Sequence, residues 1–260
     1  MIEKIFNLKN KIAVITGGLG ILGTVYAQTL AEAGAKVAVF DVIEPLNDHK
    51  LKKLSKKFPI KFFKVDIARR PQVENALKEI KKSWGTPNIL INNAAIDFPP
   101  DKVGEKPEDY PIDKWNKMIE VNLTGMLICC QVLGAEMAKN KGGSIVNISS
   151  HYGIVSPDQR IYTNFFKPVS YSVTKSGVLN LTRYFATYWG DKNVRVNTFT
   201  PGGVFNNQNE DFIKKYSDRV PLGRMANREE YRGVILFLAS DASSYMTGSN
   251  LIIDGGWTAW

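Results

Sequence analysis

Four polar residues, Asn122, Ser150, Tyr171 and Lys175, have the types and order to move a proton on and off an oxygen while that oxygen's carbon gains or loses a hydride. Tyr171 and Lys175 stand four apart at the start of a helical pattern, so their side chains share one face and can meet. A free phenol, with a pKa of about 10, is a poor base at neutral pH, and a neighbouring ammonium favours its ionised form. Ser150 closes a strand-like run and can hydrogen-bond the reacting oxygen. Asn122 can bind a water that links Lys175 to solvent. A Tyr–Lys pair at this spacing also occurs on ordinary helix surfaces, where the lysine merely snorkels, so the pair gains meaning only from what positions it.

The first positioning element is a glycine-spaced turn, Thr16-Gly17-Gly18-Leu19-Gly20-Ile21-Leu22-Gly23, between the apolar run Ile12 to Ile15 and the alternating stretch Tyr26 to Ala33. A strand hands over to a helix there. Glycines let the backbone approach a ligand, and the unpaired N–H groups of a helix start favour a diphosphate. About 20 positions later Asp41 closes the strand-like run Lys36-Val37-Ala38-Val39-Phe40. A carboxylate at that tip accepts hydrogen bonds from both adenosine ribose hydroxyls and repels a 2′-phosphate, so the expected cofactor is NAD rather than NADP. Oxidised nicotinamide would further favour the Tyr171 phenolate.

Strand-like segments near 11–17, 36–41, 60–66, 89–95, 144–150, 194–200 and 250–254 alternate with helical patterns near 20–33, 48–57, 71–84, 113–139, 171–189 and 228–240. Repeated βα alternation predicts an α/β fold: a three-layer, doubly wound parallel sheet of about seven strands with helices on both faces, a Rossmann fold, with ligands beyond the carboxyl ends of the strands. Gly17, Asp41, Asp66, Asn93, Ser150 and Pro201 all fall at such ends. The connections 96–112 and 151–170, rich in proline and aromatics, leave on the ligand side and are expected to wall a substrate pocket. Phe98, His151, Tyr162, Phe165 and Phe205 are candidate lining residues, although loop aromatics more often serve local packing.

The 260 residues can bury a sizeable core and are expected to form one domain, 1–260. The composition, 44% hydrophobic and 23% charged, is that of an ordinary globular protein. The N-terminus lacks the pattern of a secretion signal and no run approaches about 18 uninterrupted apolar residues, so a cytoplasmic protein without a membrane span is expected. Cys129 and Cys130 are adjacent on a helical pattern and read as buried thiols. The formal charge of +9 is densest at 50–57, where Leu51 and Leu54 mark an amphipathic surface helix. Without interleaved aromatics it does not read as a nucleic-acid site. The charge suits an anionic small substrate instead.

The chain resembles the short-chain dehydrogenase/reductase family over essentially its full length. The resemblance rests on the glycine turn with Asn92-Asn93-Ala94-Ala95, Val121-Asn122-Leu123, Asn147-Ile148-Ser149-Ser150, Tyr171-Ser172-Val173-Thr174-Lys175, Pro201-Gly202, and the closing segment from Tyr245 to Asp254-Gly255-Gly256. It implies Tyr171 as acid/base, Lys175 as its partner and ribose ligand, Ser150 as the orienting hydroxyl and Asn122 as relay. It places Gly17, Gly20, Ile21, Leu22 and Gly23 at the diphosphate, Asp66 and Ile67 at the adenine, Asn93 and Ala94 at the cofactor ribose region, and Pro201, Gly202 and Val204 at the nicotinamide edge. Ser150 is chosen over Ser149 because Ser150-His151-Tyr152-Gly153 matches the family's Ser-x-x-Gly.

The departures from the family pattern are Ile21 where the middle glycine usually stands, Ala95 in place of a glycine, Asn206 in place of a carboxamide-binding threonine, and a longer stretch between Ser150 and Tyr171. Phe166 to Tyr171, Ala186 to Trp189, Pro201 to Asn207 and Pro221 to Met225 look most like bacterial members from flagellin-modification and surface-sugar clusters. That likeness implies an NAD-dependent oxidoreductase interconverting a secondary alcohol and a ketone on an amino sugar or nucleotide sugar. It also implies a homodimer or homotetramer built through the helices at 113–139 and 171–189. An epimerase or dehydratase that recycles its cofactor in place, and a non-catalytic NAD-responsive scaffold, are the other readings of the same residues.

Overall fold

Fully buried runs of branched residues, Ile12–Thr16 and Ile89–Asn92, form the middle of a seven-stranded parallel sheet in the computed structural model, which describes residues 2–98, 106–163 and 165–260. The strands are β1 (Ile12–Thr16), β2 (Lys36–Asp41), β3 (Ile60–Lys64), β4 (Ile89–Asn92), β5 (Gly143–Ile148), β6 (Val194–Pro201) and β7 (Asn250–Ile253), in the order β3-β2-β1-β4-β5-β6-β7. Register is set by pairs such as Ile15 with Val39 and with Ile91. The chain order reverses between β1 and β4, and a crevice opens there beyond the strand ends. The expected Rossmann architecture is the observed one.

Alternation along the strands divides the core in two. Ala13, Ile15, Val37, Val39, Ile89 and Ile91 pack on one face with Val25, Tyr26 and Leu30 of the helix Ile21–Glu32 and Ile235 and Leu238 of the helix Arg232–Ala239. Val14, Ala38, Phe40 and Leu90 pack on the other with the helices Arg70–Ser83, Ile112–Lys139 and Val169–Tyr188. The helix Ile112–Lys139 is long and apolar enough to cross a membrane, yet its Met118, Met126, Cys129, Leu133 and Met137 are buried in the protein. Cys129 and Cys130 are free, buried thiols, as expected.

A buried polar chain ties the catalytic-side helix to the sheet. The Asn92 amide donates to Asn147 at 2.8 Å, the Asn147 amide to Thr182 at 2.9 Å, and the Thr198 hydroxyl lies 2.7 Å from that of Thr182. The bonds through Thr182 tie Val169–Tyr188 to β5 and β6, while the Asn92 side-chain oxygen at the far end of the chain has no partner. Two short helices, Ile2–Phe6 and Glu210–Ser217, escaped the sequence reading, and the segment read as helical over 48–57 is helical only over Lys50–Leu54.

Candidate active site

The cleft over the β1–β4 crevice, about 590 Å³, is lined by Gly17, Gly20, Ile21, Leu22, Asp41, Asp66, Ile67, Asn93 and Ala94, all residues anticipated at a dinucleotide. Gly17 adopts φ +58°, and a side chain there would strike the backbone of Ala94 at 2.7 Å. Gly23 lines no surface. A Cβ on it would lie 2.2 Å from the Gly17 carbonyl, so its part is to let the helix start close on the turn. Gly20 is the N-cap of Ile21–Glu32 without any side-chain cap, which leaves the first-turn N–H groups facing the cleft unpaired by the chain. That is the donor set a diphosphate requires, and it fits a dinucleotide.

Asp41 accepts from the Leu19 N–H at 3.0 Å and lines the far end of the cleft. Asn93 is used inward, its amide donating to the carbonyls of Thr16 and Gly17 at 3.1 and 2.9 Å. It therefore holds the glycine turn against β4. Asp66 caps its own turn by accepting from the Ala68 N–H at 2.9 Å.

A second cavity of about 310 Å³ adjoins the first, sharing Leu22, Asn93 and Ala95, and is lined by Ser150, Tyr171, Lys175, Pro201, Gly202 and Val204. Three of the four polar residues thus meet. The Ser150 hydroxyl interacts with the Tyr171 phenol and accepts from the Tyr152 N–H at 3.2 Å. Ser149 turns the other way, donating to the Lys175 carbonyl at 2.8 Å. Lys175 is 3% exposed and donates to the Ile148 carbonyl at 3.0 Å. Burial pushes its pKa down to about 8, with the Lys167 charge acting in the same direction and Asp97 against it.

Two expectations change. The Tyr171 phenol is raised, because burial outweighs the opposing Lys167 charge and the Ser150 hydrogen bond, and Asp97 adds to the rise. A bound oxidised nicotinamide would add a positive charge that works against this rise. Asn122, fully buried in a π-helical turn spanning Glu120–Gly125, lies off the cavity. Its amide donates to the Ile96 carbonyl at 2.9 Å and accepts from the Ile96 N–H at 2.8 Å. It pins the strand exit where Asn93 and Ala95 enter the cleft.

Of the two long connections only 151–170 lines the catalytic cavity, through His151, Tyr152, Tyr162 and Lys167, whereas Ile96 and Phe98 of 96–112 line the dinucleotide cleft. Phe166 of one packs edge-on against Tyr110 of the other with ring centroids 6.1 Å apart, and the Tyr110 hydroxyl donates to the Phe98 carbonyl at 3.1 Å. Residues 99–105 and 164 lie outside the described residues. His151 and Tyr162 line the catalytic cavity and Phe98 the dinucleotide cleft, whereas Phe165 and Phe205 are about half exposed and line neither. Asn206 also lies off both clefts, and Val204 and Gln208 stand there in its place.

Sequence reasoning missed Gln208, Phe212, Tyr216 and Lys167 in the lining. Phe212 and Tyr216 belong to Glu210–Ser217, whose signature, a capping Asn209 followed by Glu210 and Asp211 and then apolar residues at helical spacing, was available.

The family model described as enoyl-(acyl carrier protein) reductase matches residues 20–258. The NAD-dependent glycerol dehydrogenase of Listeria innocua is 33% identical over 98% of this chain and 97% of its own length. Among solved structures, a gluconate 5-dehydrogenase from Burkholderia cenocepacia in complex with NADP and tartrate superposes with a TM-score of 0.88 at 27% identity, covering all of both chains. A short-chain dehydrogenase from Leptospira borgpetersenii with bound NAD+ superposes with 0.87 at 34% identity, over 97% of this chain and 94% of that one. With these similarities and the Tyr171–Lys175–Ser150 cavity beside a dinucleotide cleft, the chain belongs to the short-chain dehydrogenase/reductase family, oxidoreductases that act on CH–OH groups with a nicotinamide cofactor.

Proposed function

We propose that this protein interconverts a secondary alcohol and a ketone on an amino sugar or nucleotide sugar, with NAD as its cofactor. The observation that carries the reading is the single cavity joining Ser150, Tyr171 and Lys175 beside a cleft that ends at Asp41. Its walls are rich in hydroxyl and amide groups, Ser150, Tyr152, Tyr162 and Gln208 among them, which suits a polyhydroxylated substrate. About 310 Å³ lies at the small end of ligand pockets and must also admit the nicotinamide, which favours the compact amino sugar of the two.

When bound, the nicotinamide supplies the hydride acceptor or donor. Ser150 would orient the substrate oxygen, Tyr171 would take or give its proton, and Lys175 would hold the ribose side of the cofactor and favour the ionised phenol. Asn122 acts through the Ile96 backbone it clamps, so a relay water would reach its main chain rather than its amide. In the same reading the protein assembles as a homodimer or homotetramer.

A panel of amino and nucleotide sugars with NAD, followed by absorbance and product mass together, tests the reading. Tyr171→Phe should lower turnover by about 10²- to 10⁴-fold while leaving NAD binding, measured by tryptophan quenching, nearly unchanged. Equal turnover in that variant refutes the acid/base role, and product without NADH points to in-place recycling.

A further inference from the structure

Side chains from the two long connections meet over Tyr171 in a built arrangement. The Lys167 ammonium lies 4.0 Å from the centroid of the Tyr171 ring and forms an ion pair with Asp97 from the other connection. Its backbone is held in both directions, its N–H donating to the Gln159 side-chain oxygen at 2.9 Å and its carbonyl accepting from the Gln159 amide at 3.3 Å. Phe166, just before it, is buried against Tyr110. Only 15% of the Lys167 side chain is exposed, so this is not a loose surface lysine.

We propose that Lys167 is a positioning residue whose charge sets the proton affinity of the Tyr171 phenol, and that Asp97 sets how much of that charge the phenol feels. The inference rests on Tyr171 as the acid/base of the proposed function. A cation above a ring favours the phenolate, and an anion beside that cation works against it.

The groups facing Tyr171 come from every neighbouring element. Lys175, on its own helix, is 5.8 Å from the ring, and Ser150 reaches it from the end of β5. The Tyr152 and Tyr162 hydroxyls, 2.9 Å apart, and His151 come from the 151–170 connection, Tyr216 from the helix Glu210–Ser217, and Asp97 from the exit of β4. Burial pushes Tyr152 up to about 12 and raises Tyr162 as well, while it holds His151 down at about 4. The side chains of this set that form ion pairs or make cation contacts with the ring are Lys167, Lys175 and Asp97. Lys175 is tied to the Ile148 carbonyl, which leaves the Lys167–Asp97 pair as the adjustable one.

The test needs no substrate. In protein carrying tyrosine labelled with ¹³C at Cζ, Tyr171→Phe assigns the resonance, and its titration is followed with and without NAD. Lys167→Met should move the midpoint up by about one pH unit, Asp97→Asn should move it down, and Lys167→Arg should restore it toward the parent. The pH profile of kcat on any substrate found should shift in the same directions. Coincident titrations of Lys167→Met and the parent, with spectra showing both folded, overturn the proposal. So does a Tyr171 resonance that stays neutral to the alkaline unfolding point in both the parent and Asp97→Asn. A sugar panel without turnover would instead count against the proposed function and leave the titration result standing.

Discussion

Lys175 and His151 line the same cavity, and burial drives both toward their neutral forms, Lys175 to about 8 and His151 to about 4. The Pro201 carbonyl, 3.4 Å from His151 Nδ1, and the Asp254 charge oppose this for the imidazole without reversing it. Between pH 4 and 6.5 an unfolded chain would bind the proton that the folded His151 refuses. Stability therefore falls as the pH drops through that window, by about 3 kcal/mol for this one group. Urea midpoints measured from pH 7 to 4 should fall more steeply for the parent than for His151→Gln, and parallel slopes would show that His151 is not the group responsible. For Lys175 the window is alkaline, with stability rising from pH 8 toward its unfolded value near 10.5. In the proposed function Asp41 carries the cofactor choice. Replacing it by Ala removes acceptors for the ribose hydroxyls and the repulsion of a 2′-phosphate, so NAD should bind about ten- to a hundredfold more weakly while NADP gains relative to it, as fluorescence titration with both would show. These single positions were readable because their types are chemically distinctive. Lys167 was not, since nothing in a sequence says which of many lysines will be held over a particular ring.

The turn between β1 and the helix Ile21–Glu32 separates two kinds of glycine. Gly23→Ala would drive its Cβ into the Gly17 carbonyl, forcing the helix start away from the turn, whereas Gly20 has ordinary φ and 3.4 Å to its nearest neighbour. Gly23→Ala should cost about 1–3 kcal/mol, lower the melting temperature by several degrees and weaken dinucleotide binding more than tenfold. Gly20→Ala should melt close to the parent, and reversal of that order in thermal scans with and without NAD would contradict the geometry. Seven strands and the long helices were legible because buried branched runs and helical periodicity span them. The segment over 113–139 reads within one residue of the helix Ile112–Lys139. Its two π turns, Glu120–Gly125 and Cys130–Gly134, left no such trace, because they come from tertiary packing of that helix rather than from local propensity. The contact of Tyr110 with Phe166 was likewise beyond periodicity, since it joins side chains from connections far apart in sequence.

Strands drawn from Ile12 to Ile253 join one sheet, and the helices Ile112–Lys139 and Val169–Tyr188 lie side by side on one of its faces. Between them runs a groove of about 860 Å³ lined by Leu127, Ala135, Leu181, Tyr184 and Tyr188, with both tyrosines more than 60% exposed. A second copy of the chain meeting this groove is the arrangement we expect. Tyr188→Glu should then lower the sedimenting mass at micromolar concentration, and a parent that sediments as a monomer would dismiss it. Trp257, by contrast, is spent within the protein, stacked 4.5 Å from Tyr216, while Trp260 is exposed. The two wide turns in Ile112–Lys139 carry a consequence for how the chain can change length. A residue removed from or added to a helix rotates everything beyond it by about 100°, so a single deletion between Asn122 and Lys139 would swing the groove-lining side chains away from their seats while leaving the dinucleotide half in place. Insertions and deletions therefore fit better between elements than within the stretch from Asn122 to Lys139, where the residue count sets which side chains reach the groove.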